Sequence, residues 1–119
     1  MLESIRAILF DLDGTLLDAD MNVFLPQYFE LLAASVAHVI PADHFVPCLM
    51  QASDAMVAND GRDTNVEVFA EAFYPCVGHE RTDLEPVFLD FYTHQFPKLR
   101  RFTRRKPEAR LVVEAALER

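Results

Sequence analysis

The spacing of apolar residues differs between the first twenty residues and the rest of the chain. Residues 5–10 form a short, nearly continuous apolar run that is rich in β-forming side chains. This pattern is typical of a strand in a parallel sheet, where neighbouring elements cover both faces. Beyond Gly14, which permits a turn that a β-carbon would hinder, the apolar positions take helical spacing. The pattern therefore predicts one strand followed by a helical block.

About five helices are predicted from this spacing together with start and stop signals. They are expected over residues 24–40, around residues 49–57, and in segments that begin at Thr64, Thr82 and Pro107. The threonines at 64 and 82 are each followed three residues later by glutamate, which is the spacing of a capping box. Pro41, Pro75 and Pro97 are expected to end helices, because proline lacks the backbone N–H group.

A second strand that would pair with residues 5–10 is not evident in the sequence. The one β-like run near the C-terminus, residues 111–113, lies within a helical pattern. A parallel strand needs neighbours, because its backbone N–H and C=O groups must be hydrogen-bonded. A strand, a helical block and a helix that ends abruptly are typical of the first part of an α/β protein. We therefore expect the sequence to be truncated shortly before its second core strand.

Composition narrows the class of protein. A length of 119 residues predicts one domain, and a hydrophobic content of 51% is that of an ordinary globular protein. The formal charge of −8 argues against general binding to nucleic acid or to membrane surfaces. No apolar stretch approaches the roughly 18 residues that a membrane helix needs. Glu3 and Asp11 also interrupt the pattern of a signal peptide, so a cytoplasmic location is expected.

The positive charge is concentrated in one segment. Six of the 11 basic residues fall within residues 98–106. We interpret this segment as a solvated hinge, since charge runs are usually exposed. Attraction of phosphate or nucleic acid is the alternative, although a run with Phe102 as its one aromatic residue is too short for a nucleic-acid module by itself.

The two cysteines, Cys48 and Cys76, are too few for a disulfide scaffold in a chain of this size. A reduced compartment is therefore the default expectation. His44 precedes Cys48 by four residues and His79 follows Cys76 by three, which invites a zinc interpretation. Core or surface roles are the favoured prediction for all four residues.

Two carboxylates, Asp11 and Asp13, directly follow the predicted strand. Burying a charge costs several kcal/mol unless a partner or a metal offsets it, so this stretch predicts a reaction centre or a metal site. A solvated turn or a calcium loop is the alternative, but Gly14 comes too early for an EF-hand. Thr15 has either a role in the site or a role in satisfying the turn, and Asp18 is expected to cap the following turn.

The residues Asp11-Leu12-Asp13-Gly14-Thr15-Leu16-Leu17-Asp18 resemble the first motif of the haloacid dehalogenase-like (HAD) hydrolase superfamily. The resemblance implies an α/β fold in which an incomplete Rossmann-like core, a first strand plus a later core helix, carries a helical cap of the phosphatase type. The chain as it stands would be mostly helical. The implied division is residues 1–19 for the first core strand and catalytic loop, 20–100 for the helical cap, and 101–119 for a linker and the start of the remaining core.

By this resemblance, Asp11 is the nucleophile that forms an aspartyl-phosphate, and Asp13 is the general acid/base. Repulsion between the two carboxylates suits this division, because one of them tends to keep its proton. A Mg²⁺ ion is expected against the Asp11 carboxylate and the Asp13 backbone carbonyl. Leu12, Gly14 and Thr15 are expected to bind the substrate phosphoryl oxygens through the N–H groups of the turn. The second aspartate favours phosphate esters over dehalogenation.

Later parts of the family pattern have no counterpart in the sequence: a Ser or Thr from the second strand, a later Lys or Arg, and late acidic metal ligands. We therefore expect a Mg²⁺-dependent hydrolase of small phosphomonoesters that has little or no activity as this 119-residue chain. The expected partner is a small phosphorylated substrate, with no nucleic acid and no membrane. The alternative is a non-catalytic helical interaction fragment that retains a relic of the motif, and a phosphate-transferring mutase would share every residue named so far.

Overall fold

The computed structural model describes residues 4–118, which form five α-helices and two short strands within that range. In chain order these elements are β1 (Leu17–Ala19), α1 (Met21–Val36), α2 (Ala42–Val57), α3 (Asn65–Val77), α4 (Arg81–Asp90), β2 (Thr103–Arg105) and α5 (Ala109–Leu117). A π-helical turn (Phe91–Gln95) and a 3₁₀ segment (Phe96–Phe102) continue α4. The prediction of a mostly helical chain is confirmed, and no helix among these residues is long and apolar enough to cross a membrane.

The start of α3 is the predicted capping box. The Thr64 hydroxyl accepts a hydrogen bond from the Glu67 backbone N–H at 3.3 Å, and the Glu67 carboxylate accepts one from the Thr64 N–H at 3.0 Å. These two bonds satisfy donors that a helix N-terminus otherwise leaves free. At the other end, Gly78 adopts φ 71° and closes the helix in the left-handed conformation that favours glycine.

Two local predictions for the third and fourth helices are wrong. Helix α4 begins at Arg81, so Thr82 lies inside its first turn and makes no side-chain cap. The Glu85 carboxylate binds the Arg81 guanidinium instead, an i,i+4 pair on the helix surface. Pro75 does not end α3, which continues to Val77. Burial of Val77 in the core stabilises this last turn in spite of the missing N–H.

The core lies between α1, α2, α3 and the α4 segment. Its buried residues are Leu32, Ala33, Val36, Ile40, Phe45, Cys48, Leu49, Ala52, Phe73, Val77, Leu84 and Phe91. The rings of Phe45 and Phe73 meet edge to face at 5.8 Å between their centroids. Full burial of an aromatic side chain contributes roughly 2 to 3 kcal/mol, so these rings carry much of the packing energy of the helical block.

A disulfide joins Cys48 on α2 to Cys76 on α3. Cys48 lies in the core and Cys76 packs against it, as the favoured prediction had it. The expectation of reduced cysteines is wrong for this structure, and the pairing also uses the two sulfurs on which the zinc interpretation depended. Sequence spacing could not show this, because 28 residues separate the cysteines and only helix packing brings them together.

The predicted α/β core is wrong for residues 4–118. Residues 5–10, expected to be a buried parallel strand, form no strand, and Leu9 is 95% exposed. The sheet is instead antiparallel and two-stranded, with Leu17 opposite Arg105 and Ala19 opposite Thr103. The physical reason is that no strand among the described residues lies beside residues 5–10 to accept their backbone hydrogen bonds. The predicted first core segment covers residues 1–19, and its residues 1–3 lie outside the described range.

The chain is less compact than a single core would make it. Its radius of gyration is 18.1 Å, against about 13.5 Å for a compact domain of this length. Helix α5 has no buried residue, and Leu111 and Leu117 on it are 67% and 81% exposed. The N-terminal segment and α5 therefore contribute little to the core, which the helices between them form.

We expect the disulfide to contribute about 3 kcal/mol to the free energy of unfolding, because it closes a loop of 28 residues in the unfolded chain. Guanidinium unfolding of the oxidised protein and of the Cys48→Ala/Cys76→Ala variant measures this difference. Mass spectrometry after alkylation without a reductant is the control for the bond itself. Two alkylated cysteines in the native protein would show that the pairing is wrong.

The stability that is lost when the α3 cap is removed should depend on pH. Hydrogen bonds from the Thr64 backbone and hydroxyl lower the pKa of Glu67 below its ordinary 4.5. The folded state therefore favours ionised Glu67, and this stabilisation is present above pH 4.5 and is lost as the pH falls through the lowered pKa.

We expect Thr64→Ala to cost about 1 kcal/mol at pH 7 and less at pH 3. Thermal unfolding of both proteins across this pH range measures the difference, with Thr64→Ser as the control that keeps the hydroxyl. A cost that is the same at both pH values would show that the capping box does not depend on the charge of Glu67.

Candidate functional site

The motif loop, residues 11–17, winds around one carbonyl group. The Leu12 carbonyl oxygen accepts hydrogen bonds from the N–H groups of Thr15, Leu16 and Leu17 at 3.2, 3.0 and 2.9 Å. The Gly14 N–H donates to the Leu17 carbonyl at 2.8 Å, and Gly14 has φ 78°, a conformation that glycine adopts readily. The predicted role of Gly14 in the turn is confirmed, and the N–H groups of Gly14 and Thr15 are already engaged within the loop.

Asp11 and Asp13 both lie on the surface of this loop. Each residue is exposed, and the Thr15 hydroxyl donates a long hydrogen bond of 3.4 Å to Asp11 Oδ2. The expectation that the carboxylates end a buried strand is therefore wrong, and their charges carry little desolvation cost. Thr15 therefore contributes its N–H to the turn and its hydroxyl to a contact with Asp11, the predicted nucleophile.

The basic segment lies against the motif loop. Lys106 Nζ donates a hydrogen bond to the Gly14 carbonyl oxygen at 2.7 Å, and the Lys106 backbone N–H donates to the Leu16 carbonyl at 3.2 Å. The interpretation of residues 98–106 as a hinge is corrected: they continue a 3₁₀ segment and then form β2. Sequence reasoning placed no later cation at the motif, and its one signal was the density of basic residues.

The strand β1 also brings acidic and basic side chains opposite each other. Asp18 was expected to cap a turn, but it lies within β1 with Arg104 as its cross-strand partner. Opposite charges in directly facing positions stabilise an antiparallel pair. The cap of α1 is instead Asp20, whose carboxylate accepts a hydrogen bond from the Asn22 N–H at 2.9 Å.

The donor set of the loop suits Mg²⁺ in type. Asp11 and Asp13 supply carboxylate oxygens, and Mg²⁺ is commonly bound through one or two carboxylates while it keeps several waters. Within residues 4–118, however, no group of three or more His, Cys, Asp or Glu side chains is placed to hold a metal ion. The described residues thus bring carboxylates of a suitable type to the loop but assemble no metal centre there.

A cavity of about 480 Å³ opens beside the loop. It is lined by Leu12, Leu16, Leu17, Arg105, Ala109, Arg110, Val113 and Glu114. Neither aspartate lines it, so the carboxylates lie outside this mostly apolar space. Its floor is the apolar side of the motif loop, and two arginines line it.

Comparisons of the chain with protein-family models, with curated proteins and with solved structures find no match. The resemblance to the HAD superfamily accordingly depends on the motif residues and their local geometry. Gly14 turns the chain with φ 78°, whereas the strand expected before it is absent from the described residues.

We expect Lys106→Met to loosen the motif loop, because it removes a charge-assisted hydrogen bond to the Gly14 carbonyl. A bond worth about 1 kcal/mol corresponds to a roughly fivefold increase in local opening. Hydrogen exchange at the Gly14 and Leu17 amides measures this increase by NMR. Lys98→Met is the matched control, since Lys98 binds Gln95 instead. Equal exchange in the two variants would show that Lys106 does not hold the loop.

Proposed function

We propose that this protein is a hydrolase of small phosphomonoesters that works through an aspartyl-phosphate on Asp11. The observation that carries the proposal is the motif loop with Lys106 bound to it, because the loop has two exposed carboxylates and a cation 2.7 Å from its Gly14 carbonyl. Phosphoryl transfer needs a nucleophile, a proton donor and positive charge beside the phosphate. Residues of the loop and of the neighbouring basic segment supply one of each kind.

In the first step, an Asp11 carboxylate oxygen attacks phosphorus and the bond from phosphorus to the ester oxygen breaks. Asp13 in its protonated form gives its proton to this leaving oxygen. In the second step, Asp13 takes a proton from water, the water oxygen attacks phosphorus, and the Asp11–phosphate bond breaks. Inorganic phosphate leaves, and Asp11 and Asp13 return to their starting states.

Thr15 and Lys106 orient the loop for this chemistry. The Thr15 hydroxyl restricts the Asp11 carboxylate, while Lys106 holds the Gly14 carbonyl and places a positive charge at the loop. A Mg²⁺ ion held by Asp11 and Asp13 would neutralise phosphate charge. The Leu12 N–H remains the proposed contact to the phosphoryl oxygens. The N–H groups of Gly14 and Thr15 donate within the loop, so contacts from them to a phosphate would require those hydrogen bonds to break.

The sequence predicts a location in the cytoplasm, which is a reducing compartment. The disulfide between Cys48 and Cys76 favours an oxidising compartment instead, because such bonds are uncommon in the cytosol. The state of these two cysteines in the native host therefore decides between the two locations.

Formation of a phosphate analogue on Asp11 tests the function without requiring turnover. Beryllium fluoride binds aspartate as a mimic of the aspartyl-phosphate, and its ¹⁹F NMR signal reports the bound form. In the presence of Mg²⁺ at about 10 mM, we expect a bound signal in the wild-type chain and none in Asp11→Asn. Asp18→Asn is the matched control, since Asp18 lies in β1 outside the loop, and it should keep the signal.

The same experiment separates the proposed enzyme from the alternative. A signal of equal size in Asp11→Asn, or no signal in the wild-type chain, would contradict an aspartyl-phosphate on this residue. The interaction-fragment function would then be favoured, and one observation supports it already: helix α5 has no buried residue, while Leu9, Leu111 and Leu117 are strongly exposed.

A further inference from the structure

A second cavity of about 700 Å³ lies inside the helical block, away from the motif loop. All four helices of the block contribute to it, and no residue of the motif loop, of β2 or of α5 lines it. The lining residues are Leu25, Tyr28, Phe29, Leu32, Leu49, Met50, Ser53, Met56, Asn65, Val66, Phe69, Ala70, Tyr74, Arg81, Glu85, Phe88 and Tyr92. The space is therefore a cleft formed where the four helices meet.

The cavity has the size and the composition of a small-molecule site. Sites for drug-sized ligands measure about 300 to 1,000 Å³ and are lined mainly by apolar and aromatic groups with a few polar ones. Most lining side chains here are apolar or aromatic, and Phe69 and Phe88 are half-buried beside the core. The rim includes Met50 and Val66, which are 43% and 62% exposed, so the cavity is open to solvent.

The two charged residues that line the cavity have opposite charges and pair with each other. Arg81 and Glu85 are its two charged lining residues, and they form an ion pair with one another. Ser53 donates its hydroxyl proton to the Leu49 carbonyl at 2.8 Å. A charged ligand would meet no unpaired opposite charge among the lining residues and would lose water at a mostly apolar surface. The lining therefore suits an uncharged ligand.

One pair of hydroxyl groups at the cavity can donate a hydrogen bond to a ligand. Tyr28 and Tyr92 are hydrogen-bonded through their hydroxyl oxygens at 2.7 Å, so one proton forms this bond and the other is free to be donated. Burial, and then the bond to Tyr92, raises the pKa of Tyr28, so the Tyr28 hydroxyl keeps its proton at neutral pH. An oxygen acceptor on a ligand would take the second proton.

We propose that this cavity is a binding site for an uncharged, ring-containing apolar molecule with one hydrogen-bond acceptor, such as an aromatic ketone. The rings of Tyr28, Phe69 and Phe88 provide the flat apolar surfaces on which such a molecule packs. The Tyr28–Tyr92 pair donates to its acceptor. This site is independent of the proposed phosphatase function, because none of the residues used in that chemistry lines it.

Fluorescence titration with Prodan, an uncharged naphthyl ketone, tests the site on the whole 119-residue chain. We expect saturable binding with one site per chain and a blue-shifted emission. Ala70→Phe fills the cavity from α3 and should weaken binding at least tenfold, since Ala70 lines it. Glu71→Phe adds the same ring at the next, exposed position and should leave the affinity unchanged. Tyr92→Phe should weaken it about fivefold through the lost hydrogen bond.

Methionine methyl NMR gives a second readout that needs no substitution. Met50 and Met56 line the cavity, whereas Met21 at the start of α1 does not. With ¹³C-methyl methionine, Prodan should shift the Met50 and Met56 signals and leave that of Met21 in place. This measurement keeps the proposal testable if Ala70→Phe does not fold. Equal shifts at all three methyl groups would overturn a defined site.

Two further outcomes would also overturn the proposal. Binding of the anionic probe ANS as tightly as Prodan would contradict an uncharged ligand. Sedimentation equilibrium that shows a dimer in the wild-type chain and a monomer in Ala70→Phe would identify the occupant as a second copy of the chain. A monomer in both, with Prodan bound to the wild-type chain alone, is the result that supports a small-molecule site.

Discussion

Burial of the phenylalanines between the helices is the interaction on which the rest of the structure depends. Phe45, Phe73 and Phe91 are fully buried, and they come from α2, α3 and the turn that continues α4. Phe91 contacts Tyr28 on α1 and Phe96 in the 3₁₀ segment that follows this turn, and these two elements pack against each other. Since β1 precedes α1 and β2 follows the 3₁₀ segment, the same packing brings the two strands together. The position of the basic segment beside the motif loop therefore depends on a core that contains none of the loop's residues.

Because the helical core positions the two strands, a chain with few strands can still hold the motif loop in a defined conformation. The loop has its own hydrogen bonds around the Leu12 carbonyl, and three cross-strand positions fix its far end. Lys106 then connects the loop to the segment after β2. A three-residue strand pair is marginal by itself in water, so the tertiary packing on either side must supply most of its stability.

The two sites of this chain differ in how their chemistry is arranged. The motif loop is exposed and acidic and takes its positive charge from the basic segment. The cavity inside the helical block is apolar, and its ion pair of Arg81 with Glu85 is already neutral. The two proposed sites share no lining or motif residue, so each can be tested separately. Because different residues form the two proposed sites, a result that contradicts one proposal leaves the evidence for the other unchanged.

Local pattern was enough to predict the features that neighbouring residues decide. Thr64 and Glu67 form their capping box and Gly14 turns the loop, because each depends on groups within a few residues. The helical character of the block follows in the same way from its apolar spacing. The acidic motif itself was also readable from the sequence alone.

Tertiary structure decided whatever required distant residues to meet. The disulfide joins Cys48 and Cys76 across 28 residues, and Lys106 reaches Gly14 from the far end of the chain. Residues 5–10 have the composition of a strand, but a strand exists only where another accepts its hydrogen bonds. Composition cannot specify that neighbour, since pairing is a property of the folded chain. For the same reason the cavity, assembled from four helices, left no signal in the sequence.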